Sequence, residues 1–240
     1  MFGKMFYEQP PVENQQAWLK KFAHQSWDTI KKNIAKEIKT KEKREAAERI
    51  EKSFVEKIVS AYAVYAQEKD PVVLWDLDDT LGSYVVTSDR TIWKTRPSFN
   101  ELGNFLRDHF PQVKNGILSD RPLTVQKHCL GLPLDEIEQQ NDLGIYAQRA
   151  GELHGIVHFF DQDSLFTSDQ NMVGEQLEGL FSEVQATYKG LSSGAYYKVT
   201  VLENLKHQGK NIKMIDDLNY IPSAFKEGVC VRDERPTYLR

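Results

Sequence analysis

Apolar residues recur every three or four positions through the first part of the chain: Trp18 and Phe22, then Ile30, Ile34 and Ile38, then Ile50, Phe54, Ile58, Tyr62 and Tyr65. That spacing lines one face of a helix, and it predicts two or three amphipathic helices over residues 14–70. The charged stretch KTKEKREAAERIEK between the stripes reads as the solvated face of one long helix or as a junction between two. A coiled coil is disfavoured because no heptad repeat is sustained. Beyond Asp70-Pro71 the pattern changes. Short apolar runs at 72–76, 115–119, 156–160, 211–216 and 228–232 alternate with helical spacing at about 98–109, 121–129, 172–188 and 195–208. Strands separated by helices predict a parallel five-stranded sheet with helices on both faces. The expected organisation is a helical region over 1–70 followed by an α/β domain over 71–240. Two short β-like runs within 83–96, about the turn at Ser88-Asp89, predict a hairpin.

With 240 residues, 40% of them apolar, the chain can bury a substantial core. The net charge of −4 is uneven, +3 over residues 1–70 and −7 over 71–240, an imbalance too weak to predict nucleic-acid binding. Cys129 and Cys230 form no C-x-x-C pair, so neither a disulfide framework nor a zinc site is expected. His154 and His158 are four apart, but HGIVHFF is β-like, so they would not share a helical face. No run of about 18 apolar residues occurs, so no transmembrane segment is expected. The first residues lack the apolar core of a signal peptide, and the expected location is cytoplasmic. A chain exported by a route without such a peptide would read the same.

The stretch VVLWDLDDTLG, residues 72–82, sets Asp76, Asp78 and Asp79 directly behind a buried-strand pattern. In an extended strand Asp76 and Asp78 point the same way. Two carboxylates so placed repel each other unless a proton or a cation lies between them, and Mg2+ with its preference for oxygen ligands would relieve the repulsion. The plainer alternative is a turn whose acids cap the next helix. Three further groups bear on the choice: Ser119 in ILSDR, Lys198 in YYKVTVLENL, and Asp216 with Asp217 in KMIDDLN. A parallel sheet brings each to the carboxyl edge that carries Asp76, where ligand sites of such sheets lie.

This ordered set resembles the haloacid dehalogenase (HAD) superfamily of phosphohydrolases, over residues 72 to about 232. DLDDTL resembles the first motif of that family, the Ser119 strand end its second, Lys198 its third and IDDL its fourth. The resemblance implies a Rossmann-like fold and a catalytic set of Asp76, Asp78 and Lys198. Asp76 would be the nucleophile that forms an aspartyl-phosphate, and Asp78 the acid for the leaving group and then the base for water. Mg2+ would be held by the Asp76 side chain, the Asp78 main-chain carbonyl and Asp217. Asp216 would position Lys198 or a metal-bound water, or exchange roles with Asp217. Ser119 and Lys198 would contact phosphate, and Thr80 would orient Asp78 through its hydroxyl. Arg121 and Arg96 are expected as substrate contacts, Arg96 together with Tyr84 and Trp93 on the hairpin. Asp79 is expected at the surface or just behind the site residues, and Asp161 and Asp163 as loop acids near the site. The aspartate at 78 resembles the phosphatases and phosphotransferases of the superfamily rather than the members that attack carbon.

Substrate choice in such proteins rests largely on inserted caps, and here the intervals after Asp78 and before Lys198 leave room for a short cap or none. An open site suits a phosphorylated protein side chain better than a small metabolite that must be kept from water. The hairpin followed by Thr95-Arg96-Pro97 is also similar to the phosphatases that act on carboxyl-terminal domains, although Asp79 stands where that branch has Glu. The expected activity is Mg2+-dependent hydrolysis of phosphomonoesters on phosphorylated Ser, Thr or Tyr. The alternatives are a small-molecule or nucleotide phosphatase and a non-enzymatic scaffold. The N-terminal helices have the length for a protein partner.

Overall fold

The computed structural model describes residues 12–86, 88, 91–119, 125, 129, 145–149, 156–160, 174–218 and 228–240. Two helices, α1 (Val12–Glu37) and α2 (Lys41–Tyr65), open the chain. The charged stretch is thus a junction followed by the first turns of α2. Thr40 precedes α2 in an extended conformation, and its carbonyl accepts from Arg44 N at 3.1 Å. The buried face of α2 runs through Ala47, Phe54, Val55, Ile58, Val59 and Tyr62, the spacing of a helical stripe. Among the described residues no helix is long and apolar enough to cross a membrane.

The strands that follow are β1 (Pro71–Trp75), β2 (Gly82–Val86), β3 (Thr91–Thr95), β4 (Lys114–Leu118), β5 (Ile145–Arg149), β6 (Ile156–Phe160), β7 (Asn211–Asp216) and β8 (Val229–Cys230). Between them lie α3 (Phe99–His109), α4 (Gly174–Thr187) and α5 (Ser193–His207). The main sheet runs β6-β4-β1-β7, all parallel, with the two-residue β8 added beyond β7. The chain is therefore an α/β protein with a parallel sheet, consistent with the Rossmann-like expectation. The hairpin at 83–96 is formed by β2 and β3, and β5 joins it in parallel to make a second, three-stranded sheet. The sequence pattern did not predict β5: IYAQR carries a single aliphatic residue besides Ala, and pairing with β3 supplies what its own pattern lacks. The predicted helix at 121–129 lies outside the described residues but for Val125 and Cys129.

Alternation along the strands divides the core in two. Val73, Trp75, Ile117 and Ile215 pack with Phe22, Ile30 and Ile34 of α1, Phe54, Ile58 and Tyr62 of α2, and Phe99, Leu102 and Leu106 of α3. Leu74, Leu118 and Met214, on the other face, pack with Val201 and Leu202 of α5. The first two helices are thus one covering layer of the sheet. Each large side chain so buried contributes about 1.5–3 kcal/mol. Several polar groups inside this layer pair with one another. Trp75 Nε1 donates to Asn115 Oδ1 at 2.9 Å, and the Tyr62 hydroxyl donates to the same oxygen.

One buried ion pair ties distant segments together. Glu51 of α2 and Arg96, which follows β3, are both fully buried. Arg96 Nε and Nη2 donate to Glu51 Oε1 at 3.0 and 2.8 Å, Nη1 donates to the Thr80 carbonyl at 2.8 Å, and Nη2 also reaches the Glu234 carbonyl at 3.0 Å. The Phe54 ring lies 3.3 Å from the guanidinium carbon. Glu51 also accepts from Ser98 N at 3.1 Å and from the Tyr238 hydroxyl. Burial alone would raise the Glu51 carboxyl, but the Arg96 charge and the hydrogen bonds from Arg96, Ser98 and Tyr238 together outweigh it and hold it below the ordinary range. Removing one partner of such a pair leaves an uncompensated buried charge. Glu51→Ala is accordingly expected to lower the free energy of unfolding by about 3–5 kcal/mol, read from the urea midpoint at unchanged slope.

Candidate functional site

The site grows from strand register. Trp75, the last residue of β1, is paired with Ile117 of β4 and Ile215 of β7, and Asp76 N donates to the Ile215 carbonyl at 2.9 Å. Asp76, Ser119 and Asp216 therefore leave the sheet at one carboxyl edge. Because the strands behind them are covered on both faces, all three are buried. Lys198 arrives from the other layer. Helix α5 begins after Ser192, whose side chain accepts from Ala195 N at 3.3 Å, and its second turn carries Lys198 over the strand ends.

Lys198 Nζ stands 2.6 Å from Asp76 Oδ1 and 2.9 Å from Asp216 Oδ2. Asp216 Oδ1 in turn accepts from Leu218 N at 2.7 Å, which fixes the carboxylate of the strand end. Carboxylate oxygens of Asp76, Asp216 and Asp217 all lie within 4.8 Å of one another. Arg235 Nε and Nη2 both donate to Asp217 Oδ2, at 2.6 and 2.5 Å. Two cations thus face three carboxylates. Burial pushes Asp76 well up from the usual carboxylate range, Lys198 draws it back, and the charges of Asp216 and Asp78 push it up again. Burial would lower Lys198, but Asp76 and Asp216 outweigh it and keep the ammonium charged above the ordinary lysine range. Asp217 is pushed up to about 6 by burial and then by Asp216, against the pull of Arg235. A cluster of hard oxygen donors short of positive charge can hold a divalent metal ion. Asp76, Asp216 and Asp217 are within reach to supply side-chain ligands, and of these Asp216 already has both oxygens engaged, by Lys198 and by Leu218 N.

The loop after β1 shapes the other wall. Leu77 and Leu81 are buried, Leu81 N donates to the Leu77 carbonyl at 3.0 Å, and Asp79 N donates to the Gly82 carbonyl at 2.7 Å. Asp79 takes a left-handed φ of 56° and is held by the Ser83 hydroxyl and by Arg240. Glycine at 82 is required by crowding: a Cβ there would stand 2.5 Å from the Lys94 carbonyl oxygen and 2.5 Å from the Trp93 ring. Asp78 is half-buried in this loop, bridged through its backbone to Gly82.

The residues expected from sequence divide as follows. Asp76, Asp216, Asp217 and Lys198 are in direct contact or mutual reach, Ser119 shares their sheet edge, and Asp78 and Thr80 lie on the adjoining loop. Two expected roles do not match the geometry. Arg96, expected as a substrate contact, is instead fully buried and spends its donors on Glu51 and on the carbonyls of Thr80 and Glu234. Thr80 Oγ1 is buried and makes no hydrogen bond, so it does not orient Asp78 through one. On the hairpin, Trp93 is also buried, its Nε1 donating to Thr95 Oγ1 at 3.2 Å, with the half-buried Tyr84 ring 5.0 Å away. Their place is in the packing of the hairpin. Arg121, His154, Asp161 and Asp163 lie outside the described residues, and His158 falls within β6.

Arg235 was not anticipated. Its segment, RDERPTYLR, reads in the sequence as a charged tail, and the one signal in it is Pro236, which stiffens the backbone beside the arginine. Compared with known proteins, the chain matches no family model, no curated protein and no solved structure.

The raised Asp217 carboxyl gives a pH dependence with a definite sign. Between the ordinary value of 3.8 and about 6, the folded chain holds a proton that the unfolded chain has lost. This group therefore stabilises the metal-free fold at acid pH, and the contribution is lost as pH rises through about 6. A cation must displace that proton, so divalent-ion affinity is expected to fall as pH drops through the same window, with protons released on binding. Calorimetry in two buffers of different ionisation enthalpy reads both effects. An affinity that is flat between about pH 5 and pH 7.5, with no proton release, contradicts the assignment.

Proposed function

We propose that this chain is a HAD-type, Mg2+-dependent phosphomonoester hydrolase that works through an aspartyl-phosphate on Asp76. The observation that carries the reading is the shared contact of Lys198 with Asp76 and Asp216, beside Asp217, at the carboxyl ends of adjacent parallel strands. In this reading Lys198 holds Oδ1 of Asp76, keeping the carboxylate turned toward the edge of the sheet. It also brings positive charge to the phosphoryl group as attack proceeds. The Asp76 carboxylate bonds to phosphorus, and the alkoxide or phenoxide leaves with a proton from Asp78. Asp78, now a carboxylate, takes a proton from the water that cleaves the acyl phosphate. Ser119, buried at the end of β4, donates to a phosphate oxygen. Mg2+, when bound by Asp76, Asp217 and the Asp78 carbonyl, screens the nucleophile from the phosphate and stabilises the transferred charge.

Phosphorylated protein side chains are the proposed substrate class. The support is the short interval between Asp78 and β4, which β2, β3 and α3 fill with short connections between them, leaving no room there for a large inserted cap. Hydrolysis of p-nitrophenyl phosphate is the first test, and it is expected to require Mg2+. Asp76→Asn is expected to lower turnover by on the order of 10^4-fold or more with the circular-dichroism spectrum unchanged, and Asp78→Asn by roughly 10^2- to 10^4-fold. Turnover retained in Asp76→Asn contradicts the nucleophile. In a panel of phosphopeptides, sugar phosphates and nucleotides, the phosphopeptides are expected to give the highest kcat/KM.

A further inference from the structure

The C-terminal segment reaches the candidate site and brings a cation with it. After β8, Val231 N donates to the Asp216 carbonyl at 2.9 Å, which extends the sheet edge by one more bond. Glu234 then anchors the segment to α2: its carboxylate accepts from the Ser53 hydroxyl at 2.8 Å and pairs with Lys57 at 2.7 Å. Its carbonyl accepts from Arg96. Leu239 is buried, and the Tyr238 hydroxyl bonds Glu51. Between these anchors stands Arg235, pinned on both sides and turned onto Asp217.

Three features of this arginine matter. Its side chain is 32% exposed, whereas the Asp217 carboxylate beneath it is 7% exposed, so the guanidinium lies at the solvent side of the cluster. Only Nε and Nη2 are engaged, both on the single oxygen Oδ2, and among the described residues no other acceptor takes the remaining N–H groups. A guanidinium carries five donors in a planar fork suited to phosphate. The second cation of the cluster has less freedom to meet the outer oxygens of a phosphate. Lys198 is buried and already committed to two carboxylates at 2.6 and 2.9 Å. A phosphomonoester dianion entering a pocket of three carboxylates needs further positive charge at its outer oxygens.

We propose that Arg235 is a substrate-binding residue for the phosphoryl group, exchanging Asp217 for a phosphate oxygen when a divalent cation takes the Asp217 carboxylate. This rests on the phosphohydrolase reading of the same site. In the metal-free chain Arg235 neutralises Asp217; with the cation bound, that role is taken over and the guanidinium is released to an anion. The anchors on α2 keep the backbone of residue 235 in place while the side chain turns.

Inorganic phosphate serves as the probe, titrated by calorimetry into the intact chain with saturating Mg2+. Arg235→Ala is expected to weaken phosphate binding by roughly ten-fold or more, Arg235→Lys by less. Mg2+ affinity, measured separately without phosphate, is expected to be unchanged or tighter in Arg235→Ala, because a competitor for Asp217 is gone. KM for p-nitrophenyl phosphate should rise more than kcat falls. Arg232→Ala, an exposed arginine on the same segment, is the control and should change none of these. Equal phosphate affinity in wild type and Arg235→Ala overturns the proposal, and so does a loss of Mg2+ affinity in step with phosphate, which would make Arg235 a support for Asp217 alone. Wild-type chain that neither binds Mg2+ nor turns over overturns the underlying reading, and this proposal with it.

Discussion

An ammonium shared between two buried carboxylates is the contact on which the site depends. Asp76 and Asp216 end neighbouring parallel strands, and parallel register fixes them side by side whatever else the chain does. Taken out of water together, like charges at that range repel strongly. Lys198, reaching down from α5, makes the arrangement tenable. It does so incompletely. With Asp217 and Arg235 included, the cluster still carries one more negative charge than positive. Burial first, and then the charge of Asp216, raises the carboxyls of Asp76 and Asp217, and the residual negative charge suits the pocket to a cation.

Holding so much charge in place requires a rigid frame, and the frame is built from both ends of the sequence. Glu51 lies on α2, Arg96 behind the hairpin and Glu234 on the last segment, yet one guanidinium joins all three and also caps the Thr80 carbonyl in the loop after Asp76. The N-terminal helices therefore do more than cover apolar strands. Through Glu51 they brace the loop after Asp76 on one side and the arginine-bearing segment on the other. This gives a physical reason for a long helical layer to sit on a sheet whose working edge lies elsewhere.

Much of this was legible in the residues themselves. Strong periodicities gave the main strands and the helices α3, α4 and α5 to within two residues, and over 14–70 they gave the helical state but not the break between α1 and α2, because a repeating apolar stripe decides an element's state better than its ends. The convergence of Asp76, Ser119, Lys198 and Asp216–Asp217 on one edge followed from parallel topology alone. What escaped was non-local. IYAQR becomes β5 by pairing with β3, and nothing within those five residues announces it. Arg96 was misjudged because an arginine beside a hairpin reads as exposed, and the acid that buries it stands 45 residues earlier on another element. Arg235 was invisible for the same reason: it matters through Asp217, on a different segment, and its neighbours in sequence are ordinary charged residues.

The proposed phosphoryl transfer requires one geometry, a single divalent ion gripped by acids from two strand ends, with the Asp76 carboxylate still able to bond phosphorus. Crystals of the chain grown with Mg2+ and beryllium fluoride examine it directly, since a fluoroberyllate bonded to a carboxylate oxygen stands in for the phosphoryl group of an aspartyl-phosphate. That adduct is expected on Asp76, with one Mg2+ between Asp76 and Asp217. An ion bound away from these carboxylates, or a fluoroberyllate seated on any other residue, would contradict it.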